Sequence, residues 1–250
     1  MAELSFFDCH CMIGRRTEHE PGEIWRVDQL LTDMAYFGIA RTLVFHALAK
    51  EYAPSVGNER LLEEIEGRES LYGCWVALPP HTGEMEKPEA FVQAMIRAGV
   101  GAVRVFPKLH AFSLDEWCCG PLWKALEARR IPVLIDKDQV EWPEVWKLCK
   151  AHPNLPVILT GVGYREDRNI YPLFEACDQL YVEISWYGVH LGIEAICRRF
   201  GAGRLLFGTR MPFFTPGTAL TAVRYAQISS EEKRRIAGET LRRLLEDVIQ

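Results

Sequence analysis

Apolar and polar positions along the chain follow two rhythms that take turns. Short runs rich in Val, Ile, Leu and aromatic residues recur at 5–10, 41–46, 71–78, 101–107, 132–136, 156–160, 180–185 and 204–208. Bounded by turn residues and too short for helices, each run predicts a buried strand. Between and after them, at 22–37, 58–67, 87–98, 114–130, 142–152, 170–176, 191–200 and 229–247, the pattern is that of amphipathic helices. Local punctuation agrees. Pro88 sits at an early helical position, Ser113 to Glu116 resembles a capping box, and Gly38, Gly99 and Gly201 fall where helices should end.

Eight strand-then-helix units in 250 residues predict an α/β fold, specifically a (β/α)8 TIM barrel, as a single domain over residues 1–250. A doubly wound open sheet competes less well. It would advertise a Gly-rich turn after its first strand, and the turn here reads CMIGRRTEHEPG, with no G-x-G-x-x-G. No Pro/Gly/Ser-rich linker or internal repeat divides the chain.

Composition narrows the partners. With 48% hydrophobic and 25% charged residues the chain is globular, and 29 basic against 34 acidic residues give a net charge of −5. No basic stripe stands out, which argues against nucleic acid as a partner. No apolar stretch approaches the roughly 20 residues of a membrane span, so no membrane partner is expected. The start, MAELSFFDCHC, does not read as a signal peptide, and the expected location is cytoplasmic, with the eight cysteines reduced. The aromatic-rich helices permit a homodimer.

A barrel of this kind carries its chemistry at the C-terminal ends of its strands. Strand alternation places Asp8, His10 and Met12 on one face and turns Cys9 and Cys11 outward. His46 ends the second strand, Arg104 lies on the fourth with Lys108 just beyond, Asp136 ends the fifth, and Ser185 and Tyr187 follow the seventh. Arg210 follows the eighth. Trp117, Trp123, Trp142 and Trp146 read as helix-to-barrel packing, and His19, His81 and His152 as solvated.

The segments FFDCHCMIG, LDEWCCGPLWKALEARRIPVLID, HPNLPVILTGVG and RLLFGTRMPFF, with the tail ISSEEKRRIAGETLRRLL, resemble in order the amidohydrolase superfamily. The branch is the amidohydrolase-related one of decarboxylases and carboxylate or lactone hydrolases. The resemblance implies a metal site that this chain has largely lost. His10 keeps the first histidine, but Met12 stands at the second, Asp136 at the strand-five His, Gly161 at the strand-six His and Arg210 at the catalytic Asp. At an effective dielectric of about 20, unit charges about 4 Å apart interact by about 4 kcal/mol, so a cation in place of an anionic ligand opposes a divalent ion. Neither metal nor cofactor is expected.

Two function classes follow. The first is a metal-independent hydrolase of a small carboxylated ester, lactone or amide. Its general base would be His10, oriented by Asp8 or Asp136, and Arg104 and Arg210 would bind the anionic group with Lys108, His46, Ser185 and Tyr187 around them. The second is an inactive barrel that binds a ligand or partner, or a decarboxylase of the same superfamily. A small anionic molecule is the expected ligand. For Asp136 and Arg210 the favoured arrangement is a buried ion pair in the space of the lost metal.

Overall fold

In the computed structural model, which describes residues 4–18, 21–23 and 25–249, eight parallel strands follow one another around a barrel in chain order. They are β1 (Phe6–Ile13), β2 (Ile39–His46), β3 (Leu71–Val76), β4 (Ala102–Val105), β5 (Val133–Asp136), β6 (Val157–Thr160), β7 (Leu180–Glu183) and β8 (Leu205–Leu206). Backbone bonds from Cys9 N–H to the Phe207 carbonyl and from Met12 N–H to that of Met211 bring the last strand back to the first. Around the barrel run α1 (Val27–Phe37), α2 (Ala47–Glu51), α3 (Pro54–Ile65), α4 (Pro88–Arg97), α5 (Glu116–Ala128), α6 (Trp142–Ala151), α7 (Asp167–Ala176), α8 (Gly192–Phe200), α9 (Gly217–Tyr225), α10 (Ser230–Arg234) and α11 (Thr240–Glu246). Among the described residues, no helix is long and apolar enough to cross a membrane.

Strand alternation builds two apolar layers. Outward residues such as Val103, Val105, Val133, Ile135, Val157 and Leu159 join the helices in one cluster. Inward residues, among them Ala102, Phe106, Leu134, Ile158, Tyr181 and Leu206, fill the barrel. One step further along β4 to β7, the inward positions turn polar at Arg104, Asp136, Thr160 and Glu183, all buried.

The structure departs from strict periodicity in instructive places. In β1, Asp8 pairs with Thr42 but Cys11 with Val44, so β1 spends one more residue than β2 over the same step. This bulge lets both Cys9 and His10 face the interior, where alternation alone sends Cys9 outward. His152 is not solvated: it is buried, with Nε2 2.8 Å from Glu116 and Nδ1 2.8 Å from Glu127. Trp123 is fully buried as a packing residue should be, whereas Trp117 is 77% exposed and Trp146 44%. Helix α5 starts at Glu116, two residues after the expected position, because Ser113 Oγ accepts from the Asp115 N–H in the turn before it. His19 lies outside the described residues.

Beyond Gly73, β3 has left the pairing with β2, and the Asn58 side chain of α3 takes over. Its amide donates to the Val76 carbonyl and accepts from the Val76 N–H, both at 2.8 Å. Asn58→Ala strands two buried backbone groups, each costing about 1–3 kcal/mol when unpaired. A urea-unfolding midpoint lowered accordingly is the expected result, and an unchanged midpoint would show that water replaces the amide.

Candidate functional site

At the C-terminal end of the barrel a guanidinium occupies the middle of the polar layer. Arg104, 1% exposed, extends from β4, and its Nη1 lies 2.9 Å from Asp136 Oδ1 and 2.9 Å from His10 Nε2. Its plane is flanked by Phe45, with Cζ 4.7 Å from the ring centroid, and by Phe106 at 5.9 Å, contacts that favour a cation over an aromatic face. Arg104 Nε and Nη2 are buried without a hydrogen-bond partner.

An arginine only donates, so His10 Nε2 must be the acceptor and the imidazole proton sits on Nδ1. That nitrogen lies 3.5 Å from Glu183 Oε2. Burial, followed by Arg104, Arg210 and Lys50, holds the His10 pKa well below its ordinary value. Burial works to raise Asp136, but Arg104, a hydrogen bond from Thr160, Arg210 and Lys50 outweigh it and keep the carboxyl below the usual range. Glu183 goes the other way. Full burial raises it to about 7 against the hydrogen bonds from the Ser185 backbone and hydroxyl.

The expected site residues divide. His10, Arg104 and Asp136 are joined by direct contacts, and Asp136 pairs with Arg104, not with Arg210. The Arg210 side chain forms no hydrogen bond or ion pair among the described residues, and its backbone carbonyl accepts from the Phe213 N–H at 2.8 Å. Its Nε is buried without a partner, its backbone is left-handed at φ 58°, and its guanidinium lies 5.5 Å from the Phe214 centroid. Asp8 does not orient the His10 ring. It accepts from the His10 backbone N–H, from Cys11 and from Thr209, which ties β1 to the end of β8, and burial lifts its carboxyl to about 6.

Of the other four expected binding residues, three point elsewhere and Ser185 stays beside Glu183. Lys108 is exposed and paired with Glu141 at 2.7 Å. His46 caps α2 by accepting from the Leu48 N–H, with Nε2 3.7 Å from Glu64. Tyr187 donates to Asp167 within the helical layer, and the Ser185 hydroxyl is held by Glu183.

Lys50, in the short helix after β2, was not expected. Its ammonium lies 5.3 Å from the Phe106 centroid and 5.6 Å from that of Phe213, and among the described residues Asp136, Asp138 and Glu51 act on it only through space. The Lys50 carbonyl accepts from His110 Nε2 at 2.7 Å. His110 in turn lines a recess of about 870 Å³ beside the mouth, shared with Lys108, Phe112 and Trp117. Among the described residues, no group of three His, Cys, Asp or Glu side chains is placed to hold a metal ion.

A family model described as amidohydrolase matches residues 7–246. No curated protein sequence matches the chain. Solved structures share the fold at low identity. A TIM-barrel protein of Bordetella bronchiseptica is 15% identical, with a TM-score of 0.74 over 98% of this chain and 99% of that one. The 5-carboxyvanillate decarboxylase of Sphingomonas paucimobilis is 11% identical, with a TM-score of 0.72 over 98% and 99%. A dihydroxybenzoic acid decarboxylase of Polaromonas sp. JS666, solved with bound manganese and the inhibitor 2-nitroresorcinol, is 14% identical, with a TM-score of 0.72 over 98% and 97%.

Two outcomes follow from this geometry. Arg104→Ala leaves a buried carboxylate without its cation, and removing one partner of a buried pair costs about 3–5 kcal/mol. Adding Asp136→Asn should restore part of that loss in a denaturant double-mutant cycle, and strictly additive effects would dissociate the pair energetically. Folding raises the Glu183 pKa from 4.5 to about 7, so its contribution to stability is full below the lower value and lost as pH rises through the upper. In Glu183→Gln the fall in thermal midpoint between those pH values should be shallower, and an unchanged slope would remove Glu183 from the linkage.

Proposed function

The chain belongs to the amidohydrolase family, and we propose that it binds a small aromatic carboxylate at the mouth of its barrel, with a built-in guanidinium in the place of a divalent ion. The observation that carries this reading is a surplus of positive charge. Arg104, Arg210 and Lys50 all act on the buried His10 and Asp136, and of the buried carboxyls there Asp8 and Glu183 are raised and Asp136 is lowered, while Asp138 and Glu51 also act on Lys50. An anionic group at the mouth supplies the missing negative charge, and arginine suits a carboxylate because its donors form a planar fork.

The walls favour a ring. Phe106 and Phe213 flank Lys50, while Trp186 stacks on Phe214 with centroids 4.7 Å apart beside Arg210. The aromatic acids named for the Sphingomonas and Polaromonas decarboxylases are consistent with such a ligand.

A divalent ion does not fit the residues present. The two donors that would face it, His10 Nε2 and Asp136 Oδ1, are both bound to Arg104 Nη1, and Arg210 adds a second repelling charge nearby. Hydrolysis with His10 as the base draws no support from this arrangement, since the lone pair it needs is engaged and its proton affinity depressed. One catalytic reading retains a specific observation. Glu183, raised to about 7 and 3.5 Å from His10, suits an acid that protonates a ring carbon as carbon dioxide leaves.

Calorimetric titration with 2,6-dihydroxybenzoate and with the matching neutral resorcinol tests the binding. The carboxylate should bind and the resorcinol should not, and Arg210→Ala or Lys50→Ala should each weaken binding by about 1.5–3 kcal/mol, as for a charged hydrogen bond. Equal binding of acid and neutral analogue would overturn the proposal, as would one equivalent of manganese retained through dialysis and lost in His10→Ala. Release of carbon dioxide by the wild type and not by Glu183→Gln would select the catalytic reading.

A further inference from the structure

Helices run back antiparallel to the strands in this barrel, so their C-terminal ends gather at the face opposite the mouth. Two thiols meet there. Cys149 lies in the last turn of α6 and Cys177 immediately after α7, and both line one small cavity of about 80 Å³ with Lys150, His152 and Asp178. They are 6% and 4% exposed, and both thiols line the same cavity wall. Arg204 is fixed beside them, its Nη1 donating to the Cys177 carbonyl at 2.7 Å and to the Asp178 carbonyl at 2.6 Å.

Cys177 differs from the other buried cysteines, Cys149 included, whose thiol is pushed up by Cys177 and by burial. Burial pushes Cys9 and Cys11 well up, and Cys74 and Cys197 up to about 12. The Cys149 S–H instead lowers the Cys177 thiol to about 7 against the effect of burial, with Lys150 and Arg204 adding to the shift and Asp178 opposing it. The thiolate is the nucleophilic form of cysteine, and a second thiol in contact is what turns its oxidation into a reversible disulfide. A water needs only about 10–15 Å³ of such cavity space, so the cavity admits a molecule the size of hydrogen peroxide.

We propose that Cys149 and Cys177 form a peroxide-sensitive dithiol, a covalent modification site remote from the barrel mouth, in which Cys177 is oxidised first and Cys149 resolves it. The Cys177 thiolate attacks one peroxide oxygen. The S–O bond forms, the O–O bond breaks, and hydroxide leaves to take a proton as water. The Cys149 sulfur then attacks the sulfenic sulfur. The S–S bond forms, the S–O bond breaks, and the departing hydroxide carries off the Cys149 proton as a second water. One peroxide is reduced and two thiols are oxidised, and the new bond clips α6 to α7 across the unit that contains β6. A thiol reductant reverses it.

Intact-mass analysis of the full-length protein after one equivalent of hydrogen peroxide should show the loss of two hydrogens, and peptide mapping should join residue 149 to residue 177. Cys149→Ser should halt at a sulfenic acid on Cys177 trapped by dimedone, and Cys177→Ser should abolish both products. Brief alkylation of the untreated wild type should label Cys177 at least tenfold faster than Cys197, a readout that needs no variant to fold. Oxidation at another cysteine first, or equal alkylation of Cys177 and Cys197, would overturn the assignment.

Discussion

A guanidinium inside a barrel cannot lose its proton and cannot recover its hydration, so every group around it must adjust to a fixed positive charge. Arg104 is that group here, 1% exposed and reaching both Asp136 and His10 through one nitrogen. Asp136 answers by staying ionised, with Thr160 as a second donor. His10 answers by staying neutral and turning its proton away from Arg104. Glu183, on the far side of His10, is left with weak compensation and rises towards neutrality. The protonation pattern of the site is thus the response of three titratable groups to one that does not titrate. Two guanidinium nitrogens still lack acceptors, and the aromatic faces of Phe45 and Phe106 are what Arg104 has in their place.

Most of the architecture is legible in the sequence, because strands of a parallel barrel are buried on both faces and appear as continuous apolar runs. The inward direction of Arg104 and Asp136 follows from the same two-residue period. What periodicity cannot carry is an inserted residue. The bulge between Asp8 and Cys11 resets the phase of β1, and with it the direction of Cys9. Nor does it reach past a strand's end, where the chain turns freely. His46 and Tyr187 both sit at such turns, and each finds a partner in the helical layer instead of the mouth. Lys50 escapes notice because a helix of five residues is too short to show a face.

The partner of Asp136 illustrates a different limit. The family resemblance alone singles out Arg210, since a cation there would complement the Asp136 carboxylate. Topology chooses otherwise. β4 and β5 are hydrogen-bonded neighbours, with Arg104 in register with Leu134, so the Arg104 side chain rises directly beside Asp136. Arg210 leaves the end of β8, three strands further round the barrel, and reaches Asp136 only through space.

That leaves the question of what Arg210 does with the volume it occupies, and the answer lies in Gly161. A Cβ placed on Gly161 would fall 2.4 Å from Arg210 Nη1, and the glycine backbone is left-handed at φ 69°, a conformation that side chains resist. The missing side chain at the end of β6 and the long cation after β8 are therefore one packing solution. A similar constraint holds between β7 and β8, where a Cβ on Gly208 would fall 2.5 Å from Glu183. At 161 the clash falls on the tip of a long side chain that can swing aside, so the left-handed backbone is the firmer constraint there. At 208 the clash falls on Glu183, which is fully buried and held by Ser185, so the close approach of β7 and β8 depends on that glycine.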